Sequence, residues 1–303
     1  MQRITTGMMA QRSLVDLTRA YDRMSKTQEQ LSSGKRITNP SDDPYGAGHA
    51  IQLNGQLAGL STYGRNVEDG TAWTQATDSA LMNVENVTQR VRELLVEAGN
   101  DTTGQAGRAD TAAEIDQLTD AIKQEANTQY AGQYVFAGTA TSTTPYQIGG
   151  SDTYNGNTGT VSREIGPGTT IQVNSDISGV LGSGQAAADN KLLNTLRDIS
   201  QHLRGGTTAD ADALRTTDLQ NLDNNLDALS TLQANVGATE NRLSLATSRI
   251  ADLQSSTTKL LSLTQDVDFA KAATDYSTEQ ASYTAALRAS ANIIQSSLLD
   301  FLK

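Results

Sequence analysis

The chain has 303 residues, no cysteine, 4% aromatic residues, 25 glycines and a formal net charge of −11. That acidic balance argues against a nucleic-acid binder, which needs clustered Lys and Arg, and against an anionic membrane surface. Absent cysteine excludes disulfides and thiolate metal sites, while length suggests about two domains and 37% hydrophobic content predicts thin, elongated cores.

No apolar run is long enough to cross a membrane. The first residues, Met1-Gln2-Arg3-Ile4-Thr5-Thr6-Gly7, lack the features of a cleaved signal peptide, so any export is expected to use another machine. Residues 3–33 are predicted to form the first helix. Leu14, Leu17, Tyr21, Met24 and Leu31 recur at three- and four-residue steps, with Gln28 as the polar interruption. Its outer face mixes Arg12, Asp16, Arg19, Asp22, Arg23, Lys26 and Glu29. Such mixed signs suit a helix packed on one side and wet on the other rather than a membrane-surface helix.

Gly34 sits where a helix C-cap belongs, and Pro40 and Pro44 favour extended backbone before them. Asp42 and Asp43 are placed to cap the next helix, with Pro44 in its first turn. From Ala47 to Ala98, Ile51, Leu57, Leu60, Val67, Leu81, Val84, Val87, Val91 and Leu94 keep helical spacing without a proline. Gly55, Gly59, Gly64 and Gly70 weaken the first half of that stretch, or let another backbone come close. A turn follows at 100–107, then a third helix at 109–131 using Ile115, Leu118 and Ile122. Trp73 reads as core or interface filler.

Residues 132–184 change character, becoming glycine-rich and almost uncharged. Tyr134-Val135-Phe136, 161–165 and 169–173 are strand-like, the latter two around Gly166-Pro167-Gly168, and Asn155-Gly156 is a hairpin-turn signal. The stretch reads as a small β insertion. Helices then resume with Leu192, Leu193, Leu196, Ile199 and Leu203, ended by Gly205-Gly206. From Asp210 the series Leu219, Leu222, Leu226, Leu229, Val236, Leu243, Ala246, Ile250, Leu253, Leu260, Val267 runs almost unbroken, too long for a compact domain. After a joint at Asp266-Val267-Asp268, Phe269, Ala273, Tyr276, Gln280, Tyr283, Leu287, Ser290, Ile294, Ser297 and Phe301 repeat the rhythm of the first helix.

Each terminal stripe is a seam of the kind found on helices packed lengthwise. Neither buries itself alone, so both ends must pair with each other, with other copies or with a membrane; the mixed charge of the outer face favours packing, and both ends are predicted to order on assembly. Catalytic signatures are missing. His49 and His202 lie far apart, no nucleophile elbow surrounds any serine, and Asp210-Ala211-Asp212 lacks the Gly and closing Glu of a calcium loop. Gly179, Gly182 and Gly184 lack the Lys-Ser or Lys-Thr of a phosphate loop.

Together these features predict a mainly α fold with a small β insertion. Terminal coiled-coil-like helices (1–43 and 268–303) join an elongated antiparallel helical rod domain (44–131 and 186–267) that carries an outer β domain (132–185).

The stretch Leu31-Ser32-Ser33-Gly34-Lys35-Arg36-Ile37 with Asp42-Asp43-Pro44 resembles the signature of the flagellin family between terminal helix and rod. Gly132-Gln133-Tyr134-Val135-Phe136-Ala137-Gly138, Asn241-Arg242-Leu243 and Asp268-Phe269-Ala270 extend the resemblance along the chain. It implies a non-enzymatic structural subunit of the bacterial flagellum, extracellular and exported by the flagellar type III apparatus. That subunit forms the junction layer between hook and filament and needs no cofactor or metal. It also implies self-association in a ring-like layer of about eleven copies. A hook-associated protein would lie on the hook side, flagellin on the filament side, and an export chaperone on the C-terminal region before assembly. Leu14, Leu17, Tyr21, Met24, Leu31, Phe269, Tyr276, Tyr283, Leu287, Ile294 and Phe301 are then the expected subunit interface. Gly34, Arg36, Asn39, Pro40, Asp42, Asp43 and Pro44 are the expected hinge between terminal and rod domains. The alternatives are a short flagellin and, remotely, a secreted glycan-active enzyme using Asp152, Glu164 or Asp176.

Overall fold

The computed structural model describes residues 6–99, 104–184 and 187–301, without the side chains of residues 6, 7, 10 and 292–301. The side chains of Ile294, Ser297 and Phe301, and residues 100–103 of the expected turn, thus lie outside the described residues. The elements are α1 (Thr6–Ser33), α2 (Pro44–Ala98), α3 (Gln105–Ala126), β1 (Gln129–Tyr130), β2 (Gln133–Tyr134), β3 (Ser162–Gly166), β4 (Thr169–Gln172), α4 (Ser178–Leu181), α5 (Leu192–Gly205), α6 (Thr208–Ala213), a π-helical turn (Leu214–Asp218), α7 (Leu219–Gln265) and α8 (Phe269–Phe301). They form two compact units: Met1–Gly59 with Leu253–Lys303, and Leu60–Asp252.

The second unit holds the main core. From α7 it takes Leu222, Leu229, Val236, Leu243 and Ile250, every seventh residue. That strict heptad lays one narrow stripe along the helix. α2 supplies Val67, Trp73, Leu81, Val84, Val91 and Leu95, α3 supplies Ile115 and Ile122, and α5 supplies Leu192, Leu196, Ile199 and Leu203. Buried threonines interrupt the α2 stripe without leaving a polar group bare. The Thr77 hydroxyl donates to the Trp73 carbonyl at 3.0 Å, and that of Thr88 to Val84 at 2.7 Å. α2 runs through its glycines without a break. Gly70 shows why one is used: a β-carbon there would sit 3.1 Å from Val173 Cγ1 and 3.4 Å from Leu243 Cδ2.

The insertion is part of the same core, through Val135, Phe136, Tyr146, Ile171, Val173 and Ile177. α3 ends at Ala126, earlier than the periodicity suggests, because Asn127 turns its amide to the backbone of Tyr146. Its Oδ1 accepts from the Tyr146 N–H at 2.9 Å and its Nδ2 donates to the carbonyl at 2.7 Å. Ala131 and Gly132, at φ 48° and 78°, then turn β1 back onto β2. β3 pairs antiparallel with β4 around Gly166-Pro167-Gly168, with Arg163 opposite Ile171. Asn155-Gly156 turns no hairpin.

An ionic cluster ties the insertion to two helices. Asp152 accepts from Arg197 Nε at 2.9 Å and from Lys123 Nζ at 3.0 Å, and Arg197 Nη1 also reaches Asp116 at 3.0 Å. Lys123 is fully buried and donates as well to the Gln147 carbonyl at 3.1 Å. Burial pushes the Asp152 and Asp116 carboxyls up. The guanidinium and ammonium donors outweigh it at Asp152, as do Arg204, Ser200 and Arg197 at Asp116, and both are held below the usual carboxylate range. Nearby, His202 Nδ1 lies 2.6 Å from Asp218, whose carboxyl burial pushes up against the pull of that imidazole.

Candidate assembly surface

The first unit is built on α1 and α8, which run antiparallel. The Thr27 hydroxyl donates to Glu279 Oε2 at 2.7 Å, while further along the pair the Tyr21 and Tyr283 rings stand 5.9 Å apart. The packed face of α1 is Ser13, Leu17, Ala20, Met24, Thr27 and Leu31; that of α8 is Ala272, Tyr276, Glu279, Tyr283, Ala286 and Ser290. Both sets step by threes and fours. Ala20 and Ala272 are almost fully buried, and their small side chains let the backbones come close.

The expected interface residues divide between two positions. Leu17, Met24, Leu31, Tyr276 and Tyr283 lie half-buried in the α1–α8 contact. Leu14 and Phe269 are exposed, at 60% and 57%, as are Tyr21 and Leu287. These four sit one step round the helix from the packed face. Because the helices are antiparallel, rows offset in the same rotational sense fall on one side of the pair. Leu14, Tyr21, Phe269 and Leu287 therefore lie on one uncovered side of the pair, Phe269 beside Gly34 at one end and the other three further along, with Gln28 and Gln280 between. Sequence spacing gave no sign of Thr27 and Glu279, a hydrogen-bonded polar pair inside a largely apolar contact.

The joint at the end of this pair is made by the expected hinge residues and by partners that spacing did not suggest. Gly34 caps α1 at φ 70°, its N–H donating to the Gln30 carbonyl at 2.9 Å. That left-handed conformation is one that only glycine adopts without strain. Lys35 and Asp266 then form an isolated antiparallel bridge, with the Arg36 N–H donating to Gln265 at 2.7 Å and the Val267 N–H to Gly34 at 3.0 Å. The Arg36 guanidinium adds a hydrogen bond to the Thr264 carbonyl at 2.9 Å and one to Asp43 at 3.3 Å.

The two adjacent aspartates divide the capping work. Asp43 caps α2, its Oδ1 accepting from the Gly46 N–H at 2.9 Å, with Pro44 as the first helical residue. Asp42 closes the turn before it, accepting from the N–H groups of Thr38 and Asn39 at 3.3 and 3.0 Å and pairing with Lys26 at 2.8 Å. Pro40 lies exposed at the tip of this turn. The Lys26 ammonium, then the Asn39 N–H and Thr38, hold the Asp42 carboxyl well below the ordinary range. The Gly46 N–H lowers the Asp43 carboxyl too, and with Arg36 it outweighs the opposing effect of burial. Asp268 caps α8 in the same way, accepting from the N–H groups of Ala270 and Lys271 at 3.0 and 3.1 Å.

This arrangement suits surface contact. Among the described residues, no group of three His, Asp or Glu side chains is placed to hold a metal, and no helix is long and apolar enough to cross a membrane.

Residues 4–141 match the family model of the bacterial flagellin N-terminal helical region, and residues 219–302 that of the C-terminal helical region. The chain is 28% identical to flagellar hook-associated protein 3 of Salmonella typhimurium, over 94% of this chain and 95% of that one. It is 30% identical to the flagellin of Bacillus subtilis, over 90% of each. In structure it is similar to Bacillus cereus FlgL, with a TM-score of 0.59 at 22% identity over 70% of this chain and 99% of that one.

Proposed function

We propose, from the premise that the chain belongs to the flagellin family, that it is the structural subunit joining hook to filament in a bacterial flagellum. The observation that carries this reading is the end-to-end likeness to hook-associated protein 3, which takes in the insertion as well as both helical regions. The α1–α8 pair explains how such a subunit polymerises. Its side bearing Leu14, Tyr21, Phe269 and Leu287 is uncovered within one copy and becomes buried between copies. Each such side chain contributes about 1.5–3 kcal/mol when fully buried.

In this reading the chain acts outside the cell, exported by the flagellar type III apparatus. Copies associate in a ring-like layer of about eleven, as head-to-tail contacts do when their rotation closes. A hook-associated protein sits on one side and flagellin on the other, and an export chaperone shields the C-terminal helix beforehand. The joint of Gly34, Arg36, Asn39, Pro40, Asp42, Asp43 and Pro44 acts as the hinge between terminal and rod domains. The role is structural and not catalytic.

Deletion in the source organism tests the reading. Complete hooks with unpolymerised flagellin released to the medium are expected; normal filaments in the deletion strain overturn it. Purified chain that polymerises unaided into long filaments would point instead to a short flagellin, the reading that the Bacillus subtilis likeness favours. A point substitution refines the test. Leu287→Asp removes an exposed leucine at little cost to folding, so the circular dichroism spectrum is expected to hold while incorporation into flagella is lost.

A further inference from the structure

Two faces of the first unit take no part in its own packing. On α2, Ala47, Ala50 and Leu53 are buried, while Tyr45 and Ile51 stand 87% and 70% exposed around Gly48 and Gly55. A β-carbon added to either glycine would meet nothing within 4 Å, so this face is a shallow trough with an aromatic rim and an aliphatic one. On α7, Thr257 is buried and Leu253, Leu260 and Leu263 are exposed, Leu263 at 75%. Spacings of seven and three put these leucines on one side of the helix, as a ridge.

Charge says what covers them. Residues 44–59 contain no Asp, Glu, Lys or Arg, and residues 253–265 contain only Lys259. The whole chain carries −11, so identical copies repel wherever their acidic surfaces approach. A basic partner would be drawn to those acidic surfaces. A like-charged partner approaches closely only where charge is missing, and the cores of protein interfaces are depleted in charged residues for the same reason.

We infer that the trough of Tyr45 and Ile51 on α2 receives the Leu253–Leu260–Leu263 ridge of α7 from a second copy of this chain. Trough and ridge are different surfaces, so the contact is head to tail. Each copy gives its ridge to one neighbour and takes a ridge from the other, which propagates a row and closes a ring when the rotation allows. The inference rests on the flagellar-subunit reading for the presence of neighbouring copies, and it adds a contact separate from the α1–α8 pair.

Absence of cysteine makes disulfide trapping unambiguous. An Ile51→Cys chain and a Leu260→Cys chain are produced together in cells lacking the native copy, intact flagella are oxidised, and the chains are separated without reductant. Both substitutions lie at exposed helical sites, and filament formation reports that each variant folds and assembles. A covalent dimer is expected only when both variants are present. Dimers from either variant alone would show like meeting like and overturn the inference; so would filaments that assemble and yield no dimer. Failure of the junction reading would show separately, as filaments in the deletion strain before any cysteine is introduced. The same pairing rule is then read on concentrated purified chain, where a dimer supports the contact and its absence overturns it.

Discussion

Asp152 concentrates the electrostatics of the second unit on one carboxylate, shared by Arg197 and a fully buried Lys123. Its folded-state value is depressed, as is that of Asp116. Such groups add stability that is present above the unfolded carboxylate value, roughly 3.9, and lost as pH falls through the folded values. Urea unfolding of the second unit is therefore expected to show its midpoint falling as pH drops below about 4, while Asp218, raised by burial, works in the opposite direction above that. Asp152→Asn should flatten the acid dependence and cost about 2 kcal/mol at neutral pH, because Arg197 and Lys123 lose the carboxylate they share and Lys123 keeps only Asp120, at 2.8 Å, as its ionic partner. Gly34 makes a smaller claim. A β-carbon there meets the Phe269 ring at an ordinary 3.6 Å, so the penalty of Gly34→Ala is the backbone conformation alone. It is expected to be about 1 kcal/mol, read as a lower midpoint for the first unit.

Among the helices, period was legible in the residues and direction was not. Alternating three- and four-residue steps announced α1, α2, α7 and α8, and Gly34, Asp43 and Pro44 announced where two of them meet. The spacing of Leu14, Leu17, Tyr21 and Leu31 is compatible with two neighbouring rows on one helix. Only the partner decides which row is buried, and here Ala20 and Thr27 are buried while Leu14 and Tyr21 stay wet. Small and polar residues carry no hydrophobic signal, so the Thr27–Glu279 bond was invisible beforehand. The same holds for Lys123 and Asp152, whose meeting depends on a chain reversal of 29 residues. Gly55 offers a test at this scale. Its β-carbon position is open, so Gly55→Ala should raise helix stability by about 0.5–1 kcal/mol. A fit that needs the trough predicts weaker incorporation into flagella from the same variant, a gain in one assay and a loss in the other.

At the scale of the whole chain, the two units differ in what they bury. Among the described residues, the almost fully buried apolar side chains of the first unit are Ala20, Ile37, Ala47, Ala50, Leu53 and Ala272, four of the six a single methyl group. The second unit encloses Trp73, Tyr146, Phe136 and a heptad of α7. Hydrophobic stabilisation scales with apolar area removed from water. Thermal unfolding of the free chain is thus expected in two steps, the first unit melting earlier, and limited proteolysis should cut α1 and α8 before α3 and α5. One cooperative transition by both circular dichroism and Trp73 fluorescence would contradict this.

The Lys35–Asp266 bridge has a consequence for how such chains tolerate length changes. It pins both crossings at one level, so every position along α1 and α8 is counted from a fixed zero. One residue inserted into α1 would swing all that precedes it by about 100° and turn Leu14 toward another side. Seven inserted residues would leave a drift of only about 20°. The terminal helices are graduated like a rule, and length is exchangeable along them only in whole heptads.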